Sequence, residues 1–299
     1  MWFRNLQMYR LTADWQHDAA SLQTRLAAHV FRGCAASDLQ ACGWVPPRGN
    51  EGELVISVNK QLLICLGVEQ KLLPASVVRQ YAQERLADLE EQQGYKPGRK
   101  QAEEVREAVT AELLPRAFIR RRLTYVWIDP QGRWLAIDAG SPAKAEEVIE
   151  HLKLSLGELP LTLLRTQISP TTAMTEWLAT GEAPAGFTID RDCELRAAGE
   201  DRATVRYARH TLEAAEIANH IAAGKSATRL ALTWQERISF VLTEQLQVKR
   251  LAFLDVLKEE SERQAENADE LFEADFAIMS GEFAQLLPQL IEALGGEGE

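Results

Sequence analysis

Three carboxylates are placed where a divalent cation could be held. Asp129 and Asp138 close two strand-like runs and Glu146 follows on a helical one, and carboxylates at strand ends are a common seat for magnesium that activates water against a phosphodiester. A metal-dependent nuclease is therefore one reading. Against it, Asp129 opens Asp-Pro-Gln-Gly, a turn sequence in which the carboxylate ordinarily receives backbone N–H groups, and the turn reading is preferred. His29, Cys34 and Cys42 approach metal-ligand spacing, but no Cys-x-x-Cys pair exists and the donor set is incomplete, so buried thiols are expected rather than zinc. No Gly-rich loop is followed by the Lys and Ser/Thr of a phosphate cradle, and Gly295-Gly296-Glu297-Gly298 reads as a frayed end. No catalytic residue, metal or cofactor is expected.

The cations are more informative. The formal charge is −11, from 33 basic and 44 acidic residues, which at first argues against a polyanionic partner. Yet the stretch 255–299 holds 13 acidic residues against Lys258 and Arg263, so the rest of the chain is neutral, and the windows 96–122 and 202–250 each carry a net +4. Strand alternation sorts these charges further. On Ile119 to Ile128, Ile119, Leu123, Tyr125 and Trp127 form an apolar face and Arg120 and Arg122 share the other. On Lys225 to Trp234, Leu230, Leu232 and Trp234 look inward while Lys225, Ala227, Arg229, Ala231 and Thr233 lie opposite. Arg202, Thr204 and Arg206 repeat the arrangement. Lys96, Arg99 and Lys100 crowd a turn. Such faces suit phosphate tracking or a plain solvated sheet, and the sequence weighs the two evenly. Phe118, between Arg116 and Arg120, can stack on a base, make a subunit contact or cap a local core.

The elements that position these residues are of both kinds. Strands are expected over Asn5 to Thr12, Glu53 to Val58, Gln61 to Val68, Ile119 to Asp129 and Trp134 to Asp138, with a tight turn at Asn59-Lys60 and a loop through Gly43-Trp44-Val45-Pro46-Pro47. Helices are expected near Ala20 to Val30, from Pro74 to Gly94, over Gln101 to Leu114 and from Pro142 to Leu156; the middle two form a projecting helical hairpin at 74–117. Beyond a short helix at 170–180, strands at 187–195 and 202–208 precede a helix at 213–223. Three further strands, 225–234, 237–243 and 248–253, are joined too closely for helical crossovers and must run antiparallel. The predicted class is α+β, mostly antiparallel sheets with packed helices, in two lobes at 1–168 and 169–299. Phe272, Phe276, Met279, Phe283, Leu286 and Leu290 form one helical stripe, read as a core helix. Hydrophobic residues make up 46% of 299, no run suits a membrane span, and the start lacks a secretory pattern, so a cytosolic protein is expected.

Seven ordered segments resemble the RdgC family of nucleoid-associated proteins: Met1-Trp2-Phe3-Arg4-Asn5-Leu6, Gly43-Trp44-Val45-Pro46-Pro47, Leu113-Leu114-Pro115-Arg116-Ala117-Phe118, Trp127-Ile128-Asp129, His220-Ile221-Ala222-Ala223-Gly224-Lys225, Leu232-Thr233-Trp234-Gln235-Glu236-Arg237-Ile238 and Leu294-Gly295-Gly296-Glu297. The resemblance spans nearly the whole chain. It implies a non-enzymatic DNA binder that forms a ring-shaped homodimer, passes duplex DNA through a basic hole, and restrains RecA-promoted strand exchange; single-stranded DNA is a second expected partner. It also implies that Phe118 is a subunit contact. Where relatives carry a Lys-rich stretch, this chain reads Arg206-Tyr207-Ala208-Arg209-His210, keeping Arg209 but with fewer lysines. The cations expected to meet DNA are thus Lys96, Arg99, Lys100, Arg120, Arg122, Arg202, Arg206, Arg209, Lys225 and Arg229.

Overall fold

The computed structural model describes residues 1–49, 51–199 and 202–298. In chain order the elements are β1 (Gln7–Leu11), α1 (Ala19–Ala27), β2 (Gln40–Val45), β3 (Val55–Val58), β4 (Gln61–Leu72), α2 (Ala75–Gln93), α3 (Arg99–Leu113), a 3-10 turn (Leu114–Arg116), β5 (Phe118–Asp129), β6 (Trp134–Ile137) and α4 (Pro142–Leu156). There follow β7 (Leu161–Leu163), α5 (Pro170–Thr180), β8 (Phe187–Ala197), β9 (Thr204–Tyr207), α6 (Ala214–Ala222), β10 (Lys225–Trp234), β11 (Ile238–Thr243), β12 (Val248–Phe253), α7 (Asp255–Arg263) and α8 (Ala268–Ala293). The class is α+β with two antiparallel sheets, as the hairpin-linked strands required. One has the order β2-β4-β5-β6-β1-β7 with β3 also on β4, the other β12-β11-β10-β8-β9.

Local chemistry sets the joints. Asn59 and Lys60 both take positive φ, 52° and 65°, which gives the two-residue turn a twist matching its flanking strands. Gly94 ends α2 in the left-handed region and its N–H reaches the Glu90 carbonyl at 2.9 Å. The expected loop at Gly43 is instead strand β2, paired Trp44 to Leu66 on β4. A Cβ at Gly43 would lie 2.5 Å from Phe31 Cα, so glycine there marks chain passing flat over a strand, where the sequence suggested a break.

Both faces of the first sheet are covered. On one, α1 and α4 bring Leu22, Leu26, Val148 and Leu152 onto Ile64, Leu66, Val126 and Ile128. Trp44 Nε1 donates to Ser155 Oγ at 2.8 Å and fixes α4 over β2. On the other, Leu63, Trp127 and Ala136 share a core with Leu195, Leu230, Leu232 and Phe240 of the second sheet and with α5 and α8. The stripe on α8 is buried in that core. Phe283 meets the rings of Phe3, Trp127 and Phe253 at 5.8, 5.5 and 5.7 Å, well within the range of favourable aromatic pairs. The sheets are also stitched by backbone, since Leu6 N–H donates to the Val248 carbonyl at 2.8 Å and Leu251 N–H to that of Arg4 at 2.8 Å. A separate small cluster, Val78, Ala82 and Val109, packs α2 on α3.

The glycine-rich segment near residue 296 is not frayed. Gln167 N–H donates to the Gly296 carbonyl at 3.0 Å, Gly298 N–H to that of Arg165 at 2.9 Å, and Glu297 pairs with Arg10. The Arg10 guanidinium in turn lies 3.9 Å from the Trp134 ring centroid.

Candidate nucleic-acid interface

Arg120 and Arg122 do share a face of β5, Arg120 exposed and Arg122 half-buried. The even positions continue into buried Thr124, Val126 and Ile128 beneath α1 and α4, while Ile119 and Leu123 of the apolar face are 51% and 42% exposed. The odd positions do form one apolar face, Tyr125 and Trp127 turning into the core shared with the second sheet, but the even face also becomes apolar and covered beyond Arg122. Arg122 is ion-paired with Glu147 of α4, which also accepts from Gln40 Nε2 at 2.6 Å, and Arg120 donates to Gln70 Oε1 at 2.7 Å. Arg122 is thereby tied to α4, while Arg120 remains exposed. Lys96, Arg99 and Lys100, between and opening the two packed helices, are exposed, and Lys100 stands 3.9 Å from Glu104.

The second sheet gathers cations on its outward face. Arg206 on β9 lies opposite Glu194 on β8, which lies opposite Arg229 on β10. Lys249 and Arg250 on β12 join them around a hollow of about 130 Å³, with Asp192, Asn5 and Tyr207 completing the rim. Burial opposes ionisation of Glu194, yet the Thr228 hydroxyl, Arg229 and Arg196 together hold its carboxyl below the ordinary value. Asp192 accepts from Arg209 N–H at 2.6 Å and Arg250 Nη1 at 3.4 Å. The face is thus basic and interleaved with acids. Lys249, Arg250 and Arg196 escaped sequence reasoning; the first two sit where β12 slips register against β11, and Arg250 has φ 53°, which spoils simple alternation.

Lys225 does not share that face. Between Ala227 and Arg229 the β10 register shifts against β8, the one-residue bulge turning the strand so that Ala227 enters the core, fully buried. Lys225 therefore lies on the helix-covered side, its Nζ 3.4 Å from His220 Nδ1 of α6. Arg202 lies before β9 rather than in it, with φ 43° and its N–H on the Gly199 carbonyl. Arg209 is exposed in the loop after β9.

Phe118 is 85% exposed and takes no part in the cluster between α2 and α3, so the local core cap is excluded. Its neighbours Leu72, Ile119 and Leu123 are exposed as well. β4 pairs with β5 along one edge, whereas β6 begins only at Val126 on the other. Residues 118–124 thus present apolar side chains beside an open strand edge, a combination that invites another chain.

The nuclease carboxylates are apart in role. Asp129 Oδ1 accepts from Gln131 and Gly132 N–H at 3.1 and 3.0 Å, the turn task expected of it. Asp138 Oδ1 receives Arg4 and Asn5 N–H at 3.1 and 2.8 Å, and burial raises its pKa. Glu146 lies on α4. Among the described residues no group of three His, Cys, Asp or Glu side chains could hold a metal. Cys34 is half-buried and Cys42 exposed, contrary to the buried thiols expected, with Cys42 Sγ 3.7 Å from His151 Nδ1; the buried thiols are Cys65 and Cys193. Among the described residues no helix is long and apolar enough to cross a membrane.

Two antiparallel sheets around a shared core, one with a basic outward face, define an α+β protein whose most evident feature is a charged surface rather than a cleft. The chain belongs to the RdgC family: a family model described as "Putative exonuclease, RdgC" matches residues 1–297. It is 59% identical over 300 residues to a protein of Dechloromonas aromatica (strain RCB) named "Recombination-associated protein RdgC", covering 99% of this chain and 98% of that one. Proteins of the same name from Herminiimonas arsenicoxydans and Janthinobacterium sp. (strain Marseille) are 56% and 55% identical, over 99% and 100% of this chain and 99% of each relative.

Proposed function

We propose that the chain is a sequence-nonspecific DNA-binding protein that acts in recombination without cutting DNA. One observation carries the reading: Arg206, Arg229, Lys249 and Arg250 converge on a single open sheet face, as phosphate contacts along a duplex require. The finer reading follows the resemblance. Two copies, joined in part through Phe118 and the open edge of β5, enclose duplex DNA in a ring and so restrain RecA-promoted strand exchange, with Lys96, Arg99 and Lys100 at the end of a projecting helical hairpin near the ring's rim. The same activity places the protein on the nucleoid.

The family description favours a second reading, an exonuclease. Gel retardation of linear and closed circular duplex, with and without magnesium, separates the two. The binder retards DNA of unchanged length under both conditions, and the nuclease shortens linear DNA when magnesium is present. Shortening that persists through purification to homogeneity would replace the first reading by the second.

A further inference from the structure

We propose that Glu194 is a built-in competitor for DNA phosphate, a fixed anion that keeps the basic sheet face releasable; the inference rests on the DNA-binding reading above. Glu194 on β8 lies opposite Arg206 on β9 and opposite Arg229 on β10. Neighbouring strands stand about 4.8 Å apart, so one negative charge is centred between two exposed arginines. Side chains directly opposite on paired strands share a face, and Glu194, Arg206, Arg229, Lys249 and Arg250 line one hollow. A phosphate settling on either arginine therefore meets a carboxylate at its side.

The carboxylate is held in that place. Thr228 stands where the β10 register shifts, between Ala227 and Arg229, and its buried hydroxyl donates to Glu194 Oε1 at 2.8 Å. Bulges commonly re-aim a side chain in this way. Arg196, two residues along β8, donates to the same oxygen from Nη2 at 3.0 Å and reaches Glu244 with Nη1 at 3.3 Å. Burial opposes ionisation of Glu194, but these two donors and the charge of Arg229 outweigh it, so the group is anionic near neutrality. Asp192, on the same strand, is the contrast. It is half-buried and holds exposed Arg250 at 3.4 Å, a surface pair that an arriving phosphate can exchange. The Glu194 side chain is only 12% exposed and has no such exit. The face thus offers phosphate several cations while part of their charge is withheld, which suits a nonspecific protein that must slide along DNA or leave it.

Glu194→Gln tests this, because it keeps the shape and the acceptor for Thr228 and Arg196 while removing the charge. Anisotropy of a short labelled duplex at about 0.1 M salt should show affinity rising roughly five- to tenfold, the counterion-release worth of one added phosphate contact. Stopped-flow competition should place most of the gain in slower dissociation. Glu262→Gln, the same change of charge on α7, should alter neither quantity. Glu194→Thr, with a residue that favours strands, carries the same expectation and covers the case in which glutamine unsettles β8. A Glu194 that serves only to align its neighbours predicts the reverse, an affinity unchanged or weakened together with an earlier urea midpoint. That result, or a gain matched by Glu262→Gln, overturns the proposal while the parent still binds. Failure of parent and variants alike to bind duplex instead overturns the DNA reading, and this inference with it.

Discussion

Arg229 and Lys249 face the same hollow from neighbouring strands, yet only Arg229 was visible in the sequence as part of a cationic strand face. Replacing both by Gln should lower affinity on every DNA sequence alike and flatten the dependence of log affinity on log salt by up to about 2 units, since each phosphate contact is worth about 0.9. Arg263→Gln, on α7 where Arg263 pairs with Glu259, should change neither; a double variant with the parent's slope would place the DNA surface elsewhere. Stability has its own titrating residue. Burial, with Trp44 packed alongside, lowers the His151 pKa below its ordinary value and outweighs the hydrogen bond to the His29 backbone that raises it, so the folded state prefers neutral imidazole. Its contribution is therefore complete above the unfolded value and lost as pH falls below it. Melting temperature should drop as the pH is taken from about 7 to about 5, and less steeply for His151→Gln.

Elements whose ends are set by local chemistry were read well from sequence, and features set by pairing with distant strands were not. The bounds of α4, α5 and β10 came directly from Pro142, Pro170 and the Gly224 stop, where local chemistry decides the end. Long-range events decided the rest: β2 forms because β4 pairs with it, and the β10 bulge, which separates Lys225 from Arg229, is a matter of register with β8. Neither leaves a local mark. Gly43→Ala should therefore be costly despite its mild chemistry, because the new methyl meets backbone at 2.5 Å; overpacking of this kind typically costs about 1 to 3 kcal/mol, seen as an earlier chemical-denaturation midpoint. Phe118→Ser tests the opposite situation. At 85% exposure the residue contributes little to the fold, so the melting temperature of isolated protomers should be unchanged while the subunit contact weakens and binding to closed circles, which require the ring to open, changes more than binding to short linear DNA. An unaltered association equilibrium would remove Phe118 from the interface.

At the scale of the whole molecule, the proposed ring predicts sedimentation at about twice 33.5 kDa, since closure by two copies needs two contacts per copy. A monomer at micromolar concentration that still binds DNA would end the ring and leave the binder. Within one copy the ladder of β4 and β5 has a further outcome. It runs from Leu62 paired with Ile128 to Leu72 paired with Phe118, and everything between those strands is the helix pair with its own small cluster. Trypsin admitted at exposed Arg99 or Lys100 therefore cuts a detour, not the weave. The two fragments should remain clasped through that ladder and the shared core, migrating as one species on a native gel and as two under denaturing conditions, and the halves, produced separately and mixed, should find each other and rebuild the sheet.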